Sequence, residues 1–518
     1  MVLQREPQAA KIWGWSTKNA NVTVDLNEGD FVGFVIADPN DGSWSYSFPP
    51  QPAGVGHTIK VSDDGGSSIQ LDDIAFGDVF LCSGQSNMEL SVPGVFDAEK
   101  EIEDSINYPH LRLANAARTE AATPQTDVPS KTNYTWARSG PSAVDGKTAF
   151  AYYSATCYFF GRELYKSFDG KIPIGLVTSC WGGQTVEVFS SADALADTSC
   201  GGTRPTNRVA VGDLFRAEQW RRDTLLDYTD ITSDGLEVQT DPSSLWNGMI
   251  HPLLPMRFSG AIWYQGEANA KNAASYACRF PAMITDWRQK FDLPDLSFVY
   301  VQLAGYSDGE TWAYVRAAQD AALQLPKVGM AVAIDIGDPD SPNGAIHPRR
   351  KQEVGRRVAL TVRSIQYKER GGLVHTGPKL TSVQFAGQPM NHMIATLGFE
   401  PGTADGLHLN GAAGCTSCCA IPPFEAMDSS GSWSRVIANK IHNEESVVLL
   451  ASSPKIYGIR YGWEPAPECI LYNGQGGPDD HLGLPAAPFE WCAYPSGNST
   501  WTGEVCKTGD LSQGEATH

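Results

Sequence analysis

No apolar run in these 518 residues approaches the ~20 needed to cross a bilayer as a helix, so no membrane-spanning helix is expected. Nor does a positive, apolar, cleavable leader open the chain; Met-Val-Leu-Gln-Arg-Glu-Pro reads as the middle of a domain, and upstream residues are expected to have been removed. Basic residues are scarce, with 39 Lys and Arg against 59 Asp and Glu, and a formal net charge of −20. Nucleic acid and anionic membrane surfaces would repel such a chain, which excludes both as partners and favours an uncharged or locally recognised small substrate. His-Glu-x-x-His and Gly-x-x-x-x-Gly-Lys are both missing, which removes motif support for a metalloprotease or a nucleotide hydrolase. There is no internal repeat and no low-complexity tract.

What is present is enough apolar material, 42% of residues, for two or three packed domains. The 11 cysteines, with sequons at Asn21, Asn133 and Asn498, suggest a secretory route with disulfides. A secreted or lysosomal location follows as the expectation. The odd count leaves at least one thiol without a partner in the chain, and Cys82 and Cys180, on apolar strands, are the candidates.

Short alternating runs broken by Gly, Pro, Asn and Asp (Asn21–Leu26, Phe31–Ile36, Ser43–Phe48, His57–Val61) predict a β-sandwich-like domain over residues 1–73. From Ile74 the texture changes. Apolar runs (Val79–Cys82, Ile174–Cys180, Gly260–Tyr264, Phe298–Leu303, Gly329–Ile336) alternate with helix-like stretches (Ala151–Tyr165, Ala274–Phe291, Arg349–Tyr367), predicting an α/β domain over 74–370 built on a helix-covered parallel sheet. An Asp-, Thr- and Arg-rich stretch at about 199–244 reads as an insertion over one rim. Strand-and-turn texture with most of the cysteines returns over 371–518, a second β-rich domain.

The segment Gly77-Asp-Val-Phe-Leu-Cys-Ser-Gly-Gln-Ser-Asn-Met-Glu-Leu90 takes a strand into a small polar turn and then a helix. Ser86 sits in the turn, where ligands bind open α/β sheets and where its N–H is free at a helix start. That geometry suits a nucleophile, although an ordinary N-cap would use the same residue type. Met88 stands where the nucleophile elbow of α/β-hydrolases has its second glycine. Two further strand ends, Ser179-Cys-Trp-Gly-Gly-Gln-Thr185 and Trp263-Tyr-Gln-Gly-Glu-Ala-Asn269, offer backbone and amide donors of the kind acyl transfer needs around a developing oxyanion. A base is supplied by Ile346-His-Pro348, ahead of an amphipathic helix, with Asp335, Asp338 and Asp340 upstream to orient the imidazole.

Gly-Gln-Ser-Asn-Met, Ser-x-Trp-Gly-Gly, Trp-Tyr-Gln-Gly-Glu-x-Asn and Ile-His-Pro-x-x-Lys-Gln, in this order, resemble the sialate O-acetylesterases, within the SGNH hydrolase class of flavodoxin-like esterases. The resemblance also takes in Leu245-Trp-Asn-Gly-Met-Ile-His-Pro252, whose His251 reads as a packed histidine, and runs nearly end to end. It implies a flavodoxin-like fold with helices on both sheet faces and hydrolysis of O-acetyl esters on sugars, with no metal or organic cofactor. Ser86 would be the nucleophile and His347 the base; the oxyanion donors would be the N–H groups of Ser86 and Gly183 and the side chain of Gln265 or Asn269. Arg316 is the family-like partner for a sialic acid carboxylate, with Arg349 and Arg350 as alternatives, and Trp181, Trp263, Tyr264 and Glu267 are further candidates near the substrate. Acetylated xylan or pectin remains an alternative substrate, and a catalytically inactive glycan-binding protein an alternative role.

The sequence departs from the SGNH pattern at the third catalytic member. Many such enzymes carry Asp three residues before the His, whereas position 344 is Gly. Asp338 is taken as the third member, with Asp335, Glu267 or a backbone carbonyl as alternatives. A literal Asp405-Gly-Leu-His408 lies among β-like strands with no helix to follow, so His347 is preferred over His408. Cys415-x-x-Cys418 with Cys419 reads as disulfide material rather than zinc ligands.

Overall fold

The computed structural model describes residues 1–128, 135–151, 153–196, 200, 241–307, 311–369, 372–388, 392–411, 418–428, 430–474, 483–493 and 503–505. Most of the expected insertion, the sequons at Asn133 and Asn498, and Cys415 and Cys506 lie outside them. The strand Ser68–Gly84 is the spine of the molecule. Its first half is largely exposed and pairs antiparallel with Gly54–Asp63 of the N-terminal β region. From Ile74 it is buried throughout, pairing parallel with Ile174–Cys180 on one side and Gly260–Tyr264 on the other. The change of texture at Ile74 is therefore a change of surroundings along one strand, and residues 73 and 74 sit inside it.

Ser297–Gln302 and Val328–Val332 extend the parallel sheet beyond Gly260–Tyr264, and Leu111–Asn115 extends it beyond Ile174–Cys180. Leaving out Leu111–Asn115, the chain visits the parallel strands in spatial order 2-1-3-4-5. A sheet of this kind reverses its winding beside the first strand, which opens a crevice beyond the carboxyl ends of its neighbours.

The helices form where apolar residues recur with the helical period. In Lys351–Ile365, Val354, Val358 and Val362 form one buried stripe, and the helix packs against Ala155–Ser167. The Ser154 hydroxyl caps that second helix by accepting from the Cys157 N–H at 3.1 Å. The helix expected over Arg349–Tyr367 runs from Lys351 to Ile365, since the backbone of Arg350 is not helical at φ −77° and ψ 56°. Likewise the apolar run Gly329–Ile336 is strand only to Val332, and its continuation turns so that Asp335 meets Arg357.

Residues from Leu3 to Phe76 and from Ala395 to Ala486 each close a separate hydrophobic core, distinct from that of the parallel sheet. The last is seated on the sheet edge through Val332, Ile334, Ile470 and Tyr472. Among the described residues no helix is long and apolar enough to cross a membrane. Cysteine pairs close Cys82–Cys157, Cys200–Cys278 and Cys419–Cys469. Cys180 is a free, buried thiol, but the expectation for Cys82 is overturned: its strand packs on the helix that carries Cys157, which brings the two sulfurs together.

Candidate active site

The site is assembled where three adjacent parallel strands end. After Gly84 the chain must turn against the neighbouring strand, and a Cβ there would lie 2.2 Å from the Tyr264 carbonyl oxygen at a φ of +140°, so only glycine fits. The turn places Ser86 at the first position of the short helix Ser86–Glu89. Among the described residues, neither the Ser86 N–H nor the Gly183 N–H has a partner in the chain. The loop that carries Gly183 is fixed by Glu89, whose carboxylate accepts from the Gly182 N–H at 2.6 Å and pairs with Arg118.

His347 comes from the loop before Lys351–Ile365, and its Nε2 lies 2.8 Å from Ser86 Oγ. Its Nδ1 lies 2.6 Å from the Asn343 carbonyl oxygen, which can only accept. Nδ1 therefore carries the proton, Nε2 is the acceptor, and the serine hydroxyl donates to it. Gly344, at a φ of +89°, forms the tight turn that brings the Asn343 carbonyl under the ring. The His347 N–H donates to the Gly344 carbonyl at 2.8 Å, and the Ser341 hydroxyl donates to the His347 carbonyl at 2.6 Å. Phe150 packs edge-on against the imidazole. Burial pushes the His347 pKa down to about 4; the Asn343 carbonyl opposes this and the nearby Lys351 charge adds to it.

Asp338 does not stand where the sequence reading placed it. Its carboxylate is held by the Arg349 guanidinium at 2.6 and 2.9 Å, with Arg349 lying over the Phe96 ring, and the backbone carbonyl of Asn343 occupies the orienting position instead. Of the amides expected at an oxyanion, Gln265 has both hydrogens engaged and Asn269 has one of its two engaged. Gln265 Nε2 donates to the Asn269 side-chain oxygen at 2.7 Å and to the Gln184 carbonyl at 3.2 Å, while Asn269 Nδ2 donates to Glu187 at 3.0 Å.

Arg316 is fully buried, its guanidinium enclosed by the carbonyls of Gly462, Glu464 and Pro465, so it ties the C-terminal region down rather than facing a ligand. Glu267 is buried and accepts from Asn87 at 2.7 Å, and Trp263 and Tyr264 lie wholly in the core. Trp181 is half-buried beside Gly183 and is the one of these aromatic candidates open to solvent. His251 is packed, as expected, with Nδ1 on the Gln125 carbonyl at 2.7 Å. His408 stacks on Tyr472 in the C-terminal β region, away from Ser86. Glu89, Asn343 and Phe150 went unassigned in the sequence, since nothing in a loop's composition tells which carbonyl or ring will face a given imidazole.

A family model described as "Carbohydrate esterase, sialic acid-specific acetylesterase" matches residues 233–363. The sialate O-acetylesterase of Mus musculus is 32% identical over 522 residues, spanning 94% of this chain and 92% of that protein. The chain belongs to the sialate O-acetylesterase family. The Homo sapiens sialate O-acetylesterase is 29% identical over 520 residues, again spanning 94% of the chain. A solved structure described as a novel carbohydrate acetylesterase from Xanthomonas citri superposes with a TM-score of 0.73 at 30% identity, covering 94% of this chain and 96% of that one. As a member of the sialate O-acetylesterase family, the protein is a carboxylic ester hydrolase.

Proposed function

We propose that this esterase removes O-acetyl groups from sialic acids through an acetyl-enzyme on Ser86, on a flavodoxin-like SGNH domain that occupies residues 74–370 between the β-rich segments 1–73 and 371–518. The observation that carries the reading is the 2.8 Å contact between Ser86 Oγ and a His347 Nε2 whose tautomer is dictated by the Asn343 carbonyl. Ser86 Oγ attacks the acetyl carbonyl as its proton passes to His347 Nε2. The N–H groups of Ser86 and Gly183 hold the oxyanion. His347 returns the proton to the departing sugar oxygen, then takes one from water as the hydroxide attacks the acetyl-enzyme and passes it to Ser86 Oγ as that oxygen leaves, which releases acetate and restores the serine. The pair works as a dyad with a carbonyl in place of the usual acid. Trp181 offers a ring face for a sugar at the rim. The cystine pairs fit a secreted or lysosomal enzyme.

A second reading, an acetylated neutral polysaccharide such as xylan or pectin, gains support from the arginines. Arg316 is enclosed by carbonyls and Arg349 is paired with Asp338, which leaves Arg350, of the three named, to meet a sialic acid carboxylate. Acetate release from 9-O-acetylated sialic acid and from acetylated xylan, by wild type, Ser86→Ala, His347→Ala and His408→Ala, tests both readings. Turnover of the sialic acid ester that disappears in the first two variants and persists in the third is the expected result. Turnover of xylan alone selects the second reading, and activity surviving Ser86→Ala overturns the mechanism.

A further inference from the structure

Directly behind the Ser86–His347 pair lies a cluster of buried polar groups that the reaction above does not use. Asn87, next to the nucleophile, is 2% exposed, Lys351 is 0% and Glu267 is 8%. Asn87 Nδ2 has two hydrogens and two acceptors, Glu267 Oε1 at 2.7 Å and the Ile346 carbonyl at 2.9 Å. Its Oδ1 accepts from Lys351 Nζ at 2.6 Å. Reversing the amide would set donor against ammonium and oxygen against two oxygens, so its orientation is fixed. The backbone carbonyl of Asn87 is also taken, by the Thr156 hydroxyl at 3.2 Å.

We propose that Lys351, Asn87 and Glu267 form a buried positioning network that holds Ser86 and His347 at working distance. The inference rests on the Ser–His reading given above. One side chain joins the residue after the nucleophile to the residue before the base, to the end of the strand Gly260–Tyr264 through Glu267, and to the first turn of the helix Lys351–Ile365. In enzymes with a triad carboxylate, the acid fixes the imidazole; here Nδ1 meets the neutral Asn343 carbonyl, and the Asn87 bridge restrains the backbone on which the ring hangs. A buried ammonium and a buried carboxylate are each costly to desolvate, and an apolar trio of similar volume would pack at no such cost. Their presence beside the proposed reacting atoms, joined through one amide, points to a role in holding geometry. Facing Lys351 are Asn87 Oδ1, the Tyr264 ring at 4.9 Å, the carboxylates of Glu267 and Asp338, and His347 itself. Burial brings the Lys351 pKa down to about 7, and below that its charge adds to the burial that already disfavours the imidazolium of His347.

The test compares wild type with Asn87→Ala, Asn87→Asp and Lys351→Met, each checked for folding by thermal unfolding. p-Nitrophenyl acetate gives kcat and KM, and phenylmethylsulfonyl fluoride gives the rate of Ser86 sulfonylation, in which the serine oxygen displaces fluoride and its proton leaves through His347. Neither reagent needs a sugar, so both read the network whether or not the acetylated sugar is the substrate. Asn87→Ala is expected to lower kcat and the sulfonylation rate ~100-fold with KM changed less than about threefold, the scale of a displacement of ~1 Å. Asn87→Asp, which keeps the shape and the Lys351 contact but not the donors, should fall with it. Lys351→Met should move the acid limb of kcat/KM to higher pH. Folded Asn87 variants that react at the wild-type rate, or a Lys351→Met profile that does not move, overturn the proposal.

Discussion

On the proposed mechanism His347 must be neutral to accept the serine proton, and its depressed pKa then sets the acid limit of the activity. The imidazole is fully buried, and its pKa falls from 6.5 to about 4. At pH 5 a histidine of pKa about 4 is roughly 90% neutral, whereas one at 6.5 is roughly 3% neutral, so kcat/KM at pH 5 should be about thirtyfold higher than an ordinary histidine allows. The folded pKa lies below the unfolded one, so between the two the unfolded chain binds more protons. Stability therefore rises with pH across that window and is lost as pH falls from 6.5 towards 4, by an upper estimate of roughly 3 kcal/mol. The assay is kcat/KM for p-nitrophenyl acetate from pH 3.5 to 8, alongside circular dichroism to separate titration of the site from unfolding. An acid limb near 6.5 in protein that is still folded would refute the argument, since it would mean that His347 is solvated in solution.

Asp338→Asn should lower kcat less than about tenfold, against the ~10⁴ lost when a triad acid is neutralised, because its carboxylate serves Arg349 rather than the imidazole; steady-state kinetics on any turned-over ester decides this. Gly344→Ala should cost about 1 kcal/mol in urea unfolding and lower kcat, since a residue with a Cβ is strained at a φ of +89° even though the nearest atom, His347 Nδ1, is 3.7 Å away; unchanged kcat would separate the turn from the ring. Arg316→Met should lower stability by roughly 2–4 kcal/mol, removing the donor that the Gly462 and Glu464 carbonyls share, with KM unchanged in the folded enzyme; a raised KM for the sialic acid ester alone would restore Arg316 as a substrate contact.

The parallel sheet and the proposed Ser86–His347 pair were legible for the same reason: both rest on local sequence pattern. A buried parallel strand writes itself as a continuous apolar run, as in Ile174–Cys180 and Gly260–Tyr264, and a functional turn writes itself as small polar residues straight after the run, as in Gly-Gln-Ser-Asn. The partners of those residues did not follow. Each depends on where a side chain or carbonyl points once distant segments have met, and sequence spacing carries no such information. Asp338 was a reasonable third member by proximity to His347, yet Arg349 lies closer in space and, being a cation with a two-pronged donor, outcompetes a neutral imidazole for the carboxylate. Arg316 read as a substrate cation through the family resemblance, as a positive charge able to meet a carboxylate in an acidic protein; its actual ligands are carbonyls supplied from nearly 150 residues away. Asn87 and Lys351 were inside the motifs that gave the family away, and they drew no role because neither is chemically reactive. Their meaning lies in the three contacts of one amide, which appear only when the strand ends near 84 and 264 and the loop at 346 are brought together.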